Sequence, residues 1–72
     1  VADRDEAPED SLRYLDVLIA LNPESVGERL TRGMLRLRLG DTPGAREDLK
    51  WLLDEAAPGI DLERVAELYR SL

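Results

Sequence analysis

Seventy-two residues are enough for one domain at most, and a chain this short buries only a modest share of its surface. It holds neither cysteine nor histidine, which removes disulfides, thiolate nucleophiles, the usual zinc ligands and every Ser-His-Asp arrangement together. A net charge of −6 argues against general affinity for nucleic acid or an anionic membrane, no apolar run approaches membrane-spanning length, and no secretory signal is visible.

These bounds set the first expectations. No enzyme activity, metal or cofactor is expected, nor a nucleic-acid or membrane partner, and the setting is expected to be cytoplasmic. Val1 stands first instead of methionine, so the chain is read as a segment of a longer protein. The charge is unevenly spread. Residues 1–24 carry seven acids and two arginines, residues 25–40 carry Glu28 against Arg29, Arg32, Arg36 and Arg38, and residues 41–72 carry eight acids and four bases. A basic segment between acidic neighbours points to internal charge complementarity before it points to a polyanion site.

Taken in order, the chain reads as four helices with no strand pattern. Residues 1–7 are acidic and aperiodic and read as a flexible tail. Pro8 suits a first helical position, with Glu9 and Asp10 complementing the dipole of the first turn, and this helix runs to about Leu21 before Asn22-Pro23. Ser25 and Glu28 have the spacing of a capping box, opening a second helix that ends near Gly40. Thr42-Pro43 reads as N-cap and first position of a third helix, which ends before Pro58-Gly59. Asp61 caps a fourth that runs to about Ser71. The expected spans are 8–21, 25–39, 43–56 and 61–71. Short connections make consecutive helices antiparallel neighbours.

The apolar faces add the packing. At about 100° per residue, Leu12, Leu15, Leu18 and Ile19 share one arc of the first helix, and Tyr14, Val17 and Leu21 the opposite arc. The second helix is also apolar on two sides, with Val26, Leu30, Met34 and Leu37 opposite Leu35 and Leu39. Two apolar sides mean a helix sandwiched between neighbours. The third helix has one stripe, Ala45, Leu49, Leu52, Leu53 and Ala56. The fourth has Leu62, Val65, Ala66, Leu68, Tyr69 and Leu72, with a charged opposite face. Such an array is closed by a solvating helix at its C-terminal end and open at its N-terminal end.

A shift of thirty-four residues places Ser11 on Ala45, Leu15 on Leu49, Leu18 on Leu52 and Ile19 on Leu53. With Arg32-Gly33, Leu37, Gly40-Asp41, Ala45, Asp48-Leu49, Leu52-Leu53 and Pro58, the stretch at about 25–58 resembles one full tetratricopeptide repeat. The first helix then resembles the second helix of a preceding repeat, and residues 61–72 the capping first helix of a following one. The resemblance implies an all-α fold over residues 8–72, a short antiparallel α-α superhelix of about four helices, and a role in protein–protein interaction. It also implies a close helix crossing at Gly33 and Ala45. The sequence departs from the family's pattern where Arg29, Arg32 and Arg36 replace large apolar residues. A narrower similarity, to the helical C-terminal tail of bacterial transglutaminase-like regulator proteins, implies instead a structural appendage packed on an upstream domain of the same parent chain.

The candidate sites follow from these faces. Arg29, Arg32 and Arg36 share one arc, which either clasps a carboxylate-rich peptide or leaves Arg32 paired with Asp48 between the second and third helices and the other two solvated; the second is the simpler reading. The Leu30, Met34 and Leu37 stripe either receives a helix, from another protein, another domain or a second copy, or is covered by the first or fourth helix. Because those positions are apolar, the family's clamp for peptide carboxylates is not carried over. Trp51 lies off the main stripe and either anchors an interface or packs flat beside the next helix. Part of the first helix's surface, drawn from Leu12, Tyr14, Val17, Leu18 and Leu21, is expected to stay exposed or to be covered by something else, and self-association through it is expected. Acid pairs such as Glu9-Asp10 and Glu47-Asp48 diverge by about 100° on a helix and do not form a catalytic dyad.

Overall fold

The computed structural model describes residues 7–72 and places four α-helices in chain order: α1 (Pro8–Leu21), α2 (Val26–Arg38), α3 (Thr42–Asp54) and α4 (Leu62–Arg70). Residues 1–6 of the expected acidic tail lie outside the described residues. There is no strand among the described residues. Contacts run in sequence, α1 on α2, α2 on α3 and α3 on α4.

Local chemistry explains each boundary. Ala7 is the N-cap of α1, and its carbonyl accepts from the backbone N–H of Asp10 at 3.0 Å. Pro8 follows at the first position, where no N–H is needed. Asn22 makes the last helical bond, to the carbonyl of Leu18, and Pro23 stops the helix. Ser25 is the N-cap of α2, but the expected capping box does not form. The backbone N–H of Ser25 is taken by the carbonyl of Asn22 at 2.9 Å, so the Glu28 carboxylate accepts from the Ser25 hydroxyl instead.

The turn from α2 to α3 does two jobs in three residues. Gly40 is left-handed at φ +83°, its N–H bonds the Leu37 carbonyl and the N–H of Asp41 bonds the Arg36 carbonyl at 2.8 Å, closing the helix end. Asp41 is then the N-cap of α3, accepting from the N–H of Gly44 at 3.0 Å. The expectation of Thr42 as N-cap is therefore off by one: a carboxylate, an acceptor that also complements the helix dipole, takes the position.

The end of α3 repeats this closure without glycine. Ala56 adopts φ +50°, with the N–H of Ala56 on the Leu53 carbonyl and that of Ala57 on the Leu52 carbonyl at 3.0 Å. The left-handed residue reverses the chain, so Ala56, expected in the core stripe, is exposed and Ala57 is buried in its place. Asp61 caps α4 as expected, accepting from the N–H of Arg64.

The core lies between α3 and α4. Leu49, Leu52, Ala57 and Val65 form its buried centre, with Val26, Leu30, Trp51, Ile60, Leu68 and Tyr69 packed against it. Fully burying one leucine of this kind contributes roughly 1.5–3 kcal/mol. Leu15 and Ile19 of α1 make a smaller apolar contact beyond α2. On α2 only Gly33 is fully buried. A Cβ placed there meets the Cβ of Asp48 at 3.2 Å and the carbonyl of Ala45 at 3.8 Å, so the expected close crossing of the two helices is present.

Candidate protein-docking surfaces

One side of α2 is a charge cluster turned inward. Asp48, on α3, is only 1% exposed. Arg32 grips it with a fork, Nε to Oδ2 at 3.0 Å and Nη2 to Oδ1 at 2.8 Å. The third nitrogen, Nη1, reaches Asp16 on α1 at 2.8 Å, so one guanidinium ties three helices. Arg36 adds Nη1 to Asp48 Oδ2 at 3.3 Å and to the Gly44 carbonyl at 3.1 Å, with Asp41 beside it. Arg29 donates to the Pro23 carbonyl at 2.8 Å and lies with its Cζ 4.1 Å from the centre of the Trp51 ring. Three arginines thus face Asp16, Asp41 and Asp48, and the cluster is formally neutral. The hydrogen bond to Asp48 raises the pKa of Arg32 above its ordinary value, burial opposing. Burial, then the Arg32 charge, lowers that of Arg29.

The Arg32–Asp48 pair is therefore present as expected. The expectation that Arg29 and Arg36 are solvated is corrected: their side chains are only 13% and 18% exposed. Arg36 is drawn in by its hydrogen bond to Asp48, whereas Arg29 is held by the Pro23 carbonyl and the Trp51 ring, with Asp48 4.0 Å away. That position also leaves them a poor clasp for a partner's carboxylates. Trp51 is half-buried against the core, and the group over its ring is Arg29 of the preceding helix α2, not a face of the next helix. Asp16 and Asp41 were not singled out from the sequence, although Asp16 stands as far before Arg32 as Asp48 stands after it.

Two surfaces remain open. Between α2 and α4 lies an apolar cleft of about 180 Å³, lined by Leu30, Met34, Val65 and Leu68 with Asp61 and Arg64 at its edge. Leu37, the third residue of the expected stripe, does not line it. On α1, Tyr14, Val17 and Leu21 are 65%, 56% and 78% exposed, so of the five residues named from the sequence these three form the open arc. Leu12 and Leu18, from the other arc, are partly buried.

A stack of helix hairpins in which α1 and α3 occupy equivalent places is the arrangement of a helical repeat, and the tetratricopeptide repeat profile matches residues 2–70. The chain belongs to the tetratricopeptide repeat family. Repeats of this family are generally protein–protein interaction modules and typically non-catalytic. No curated protein and no solved structure gives a comparable match. Among the described residues no helix is long and apolar enough to cross a membrane.

Proposed function

We propose that this tetratricopeptide repeat chain is a docking module that receives an apolar segment of another protein in the cleft between α2 and α4. The carrying observation is the composition of that cleft: four apolar side chains from two helices line it, and Met34 is 37% exposed in its wall. Asp61 and Arg64 at the edge give the occupant a charge of each sign to align against. A helix with an apolar face fits such a groove better than a polyanion does, because the groove is lined by apolar side chains and Arg32 and Arg36 are engaged by Asp48. A cytoplasmic setting belongs to the same reading.

The test is recovery of a partner by the chain and by its Met34→Glu variant. Met34 is outside the buried core, so the variant keeps its fold, checked by circular dichroism. A partner lost with Met34→Glu but kept with Tyr14→Ser supports the cleft. A partner indifferent to Met34→Glu removes it.

The exposed arc of α1 favours a second reading, in which Tyr14, Val17 and Leu21 pack on something other than a recruited partner. That cover is either a second copy of the chain or another domain of the parent, including a transglutaminase-like domain upstream. In this reading the chain is a structural appendage, and loss of the α1 arc, not of the cleft, breaks its contact.

A further inference from the structure

A second cleft lies at the end of the molecule where α1 and α3 finish and α2 and α4 begin. It measures about 340 Å³ and is lined by Glu24, Val26, Trp51, Glu55, Ala57 and Pro58. Its walls come from four places: the α1–α2 connection, the first residue of α2, the last turn of α3 and the α3–α4 connection. Val26, Ala57 and Pro58 supply apolar wall, Trp51 an indole, and Glu24 and Glu55 two carboxylates at the exposed surface.

The field at this end is negative for reasons that extend beyond the two glutamates. Neither α1 nor α3 carries a basic residue in its last turn, so no cationic side chain there offsets the two glutamates, while the C-terminal dipoles of α1 and α3 are met at the same end by the N-terminal dipoles of α2 and α4. By contrast α2 and α4 finish at the opposite end with Arg36, Arg38 and Arg70. Glu28, Asp61 and Glu63, in or beside the first turns of α2 and α4, add three acids to the near end against Arg29 and Arg64 in the same turns. Lys50, the base nearest along α3, is engaged by Asp54 at 2.7 Å. Neither Glu24 nor Glu55 makes an ion pair with another described residue. The indole already takes one guanidinium, that of Arg29, at 4.1 Å. The same ring chemistry suits a second cation approaching from the cleft.

We propose that this cleft binds an arginine side chain of a basic segment in a partner protein. The aliphatic stem lies against Val26, Ala57 and Pro58, and the guanidinium lies beside Trp51 between the carboxylates of Glu24 and Glu55. Arginine is favoured over lysine because its planar, weakly hydrated head stacks on an indole while donating to two carboxylates. This site is separate from the α2–α4 cleft and does not depend on the function proposed for it.

Trp51 is the single tryptophan of the chain and lines this cleft, so its fluorescence responds to occupation of it. The experiment is titration of the 72-residue chain with an arginine-bearing hexapeptide at low salt, followed by tryptophan emission, with a lysine-bearing hexapeptide and spermine as comparisons. The expected result is a saturable change with the arginine peptide, weakened about tenfold in Glu24→Gln/Glu55→Gln, as two exposed charge pairs together supply. Glu47→Gln/Glu67→Gln, exposed on α3 and α4 and outside the lining of the cleft, is expected to bind nearly as the unmodified chain does. No saturable change with the arginine peptide overturns the site. So does equal weakening by the two double variants, or equal binding of spermine, since either result means diffuse attraction to an acidic protein.

Discussion

α1 and α3 occupy the same place in the repeat, thirty-four residues apart, yet at one pair of equivalent positions burial runs against hydropathy. Tyr14, Val17 and Leu21 of α1 correspond to Asp48, Trp51 and Glu55 of α3. Tyr14 is 65% exposed while Asp48 is buried. The apolar residue is wet and the charged one is dry. What separates them is a neighbour: α3 is flanked by α2 and α4, whereas α1 packs on α2 alone among the described helices. A helix that brings three arginines and a glycine to one face makes a buried aspartate tolerable. Without such a helix, the equivalent apolar arc has nothing to lie on. The lesson is that a position in this repeat inherits its burial from the helix laid against it, and its chemistry must match that helix.

Asp48→Ala is the strongest way to break the comparison. It removes the carboxylate that Arg32 holds through two bonds and leaves three half-buried guanidinium groups short of an anion. The expected loss is about 3–5 kcal/mol, a fall in melting temperature of more than about 12 °C in a domain of this size. Tyr14→Ala, at the equivalent place on α1, is expected to cost no more than about 0.5 kcal/mol, as exposed positions generally do. Thermal unfolding followed by circular dichroism measures both. In the Arg32→Ala/Asp48→Ala cycle, the double variant should be less damaging than the sum of the singles by at least about 1 kcal/mol. Additive losses would mean that the fork contributes nothing as a pair.

Ala45→Leu probes the same interface by volume. Ala45 is fully buried where α3 crosses α2 at Gly33, and no space is left for a larger side chain. Overpacking is expected to cost about 1–3 kcal/mol. Its counterpart Ser11, on α1, is only partly buried, and Ser11→Leu is expected to be close to neutral. Equal losses at the two sites would show that α1 is packed as tightly as α3, and the proposed openness of its outer arc would have to be given up.

The four helices, the close crossing at Gly33 and Ala45, the pair Arg32–Asp48 and the uncovered arc of α1 were legible in the sequence. The helices are carried by periodicity, the ion pair by a charge with no other strong partner at that depth, and the crossing by the resemblance to the tetratricopeptide repeat. The fine chemistry of the ends was not. Thr42 and Asp41 are both good N-caps, and only the tight closure at Gly40 decides that Asp41 takes the place. The fate of Arg29 and Arg36 was hidden for a different reason. A periodic pattern places them on one arc, but whether that arc meets solvent or a buried carboxylate depends on the depth of Asp48, which only packing sets. The cleft at Trp51 was likewise invisible, because its walls come from four separate segments and the two glutamates have no periodic relation.

The smallest expected effect concerns how the two chain reversals are closed. Both α2 and α3 end in the same pair of backbone bonds around one left-handed residue, Gly40 in the first and Ala56 in the second. Glycine adopts that conformation freely. Alanine does not, since its Cβ crowds the neighbouring carbonyl oxygen. Ala56 is exposed, so no side-chain packing is lost by shortening it. Ala56→Gly should therefore stabilise the chain by about 1 kcal/mol, with the loss of freedom in the folded state outweighed by relief at φ +50°. The reverse change, Gly40→Ala, introduces the same crowding at φ +83° and should cost a similar amount. Chemical denaturation of the two variants reads both differences at constant slope. A destabilising Ala56→Gly would show that the end of α3 is held less tightly than the end of α2. The burial of Ala57, which follows directly from that reversal, would then have to rest on packing against Leu52 and Val65 alone.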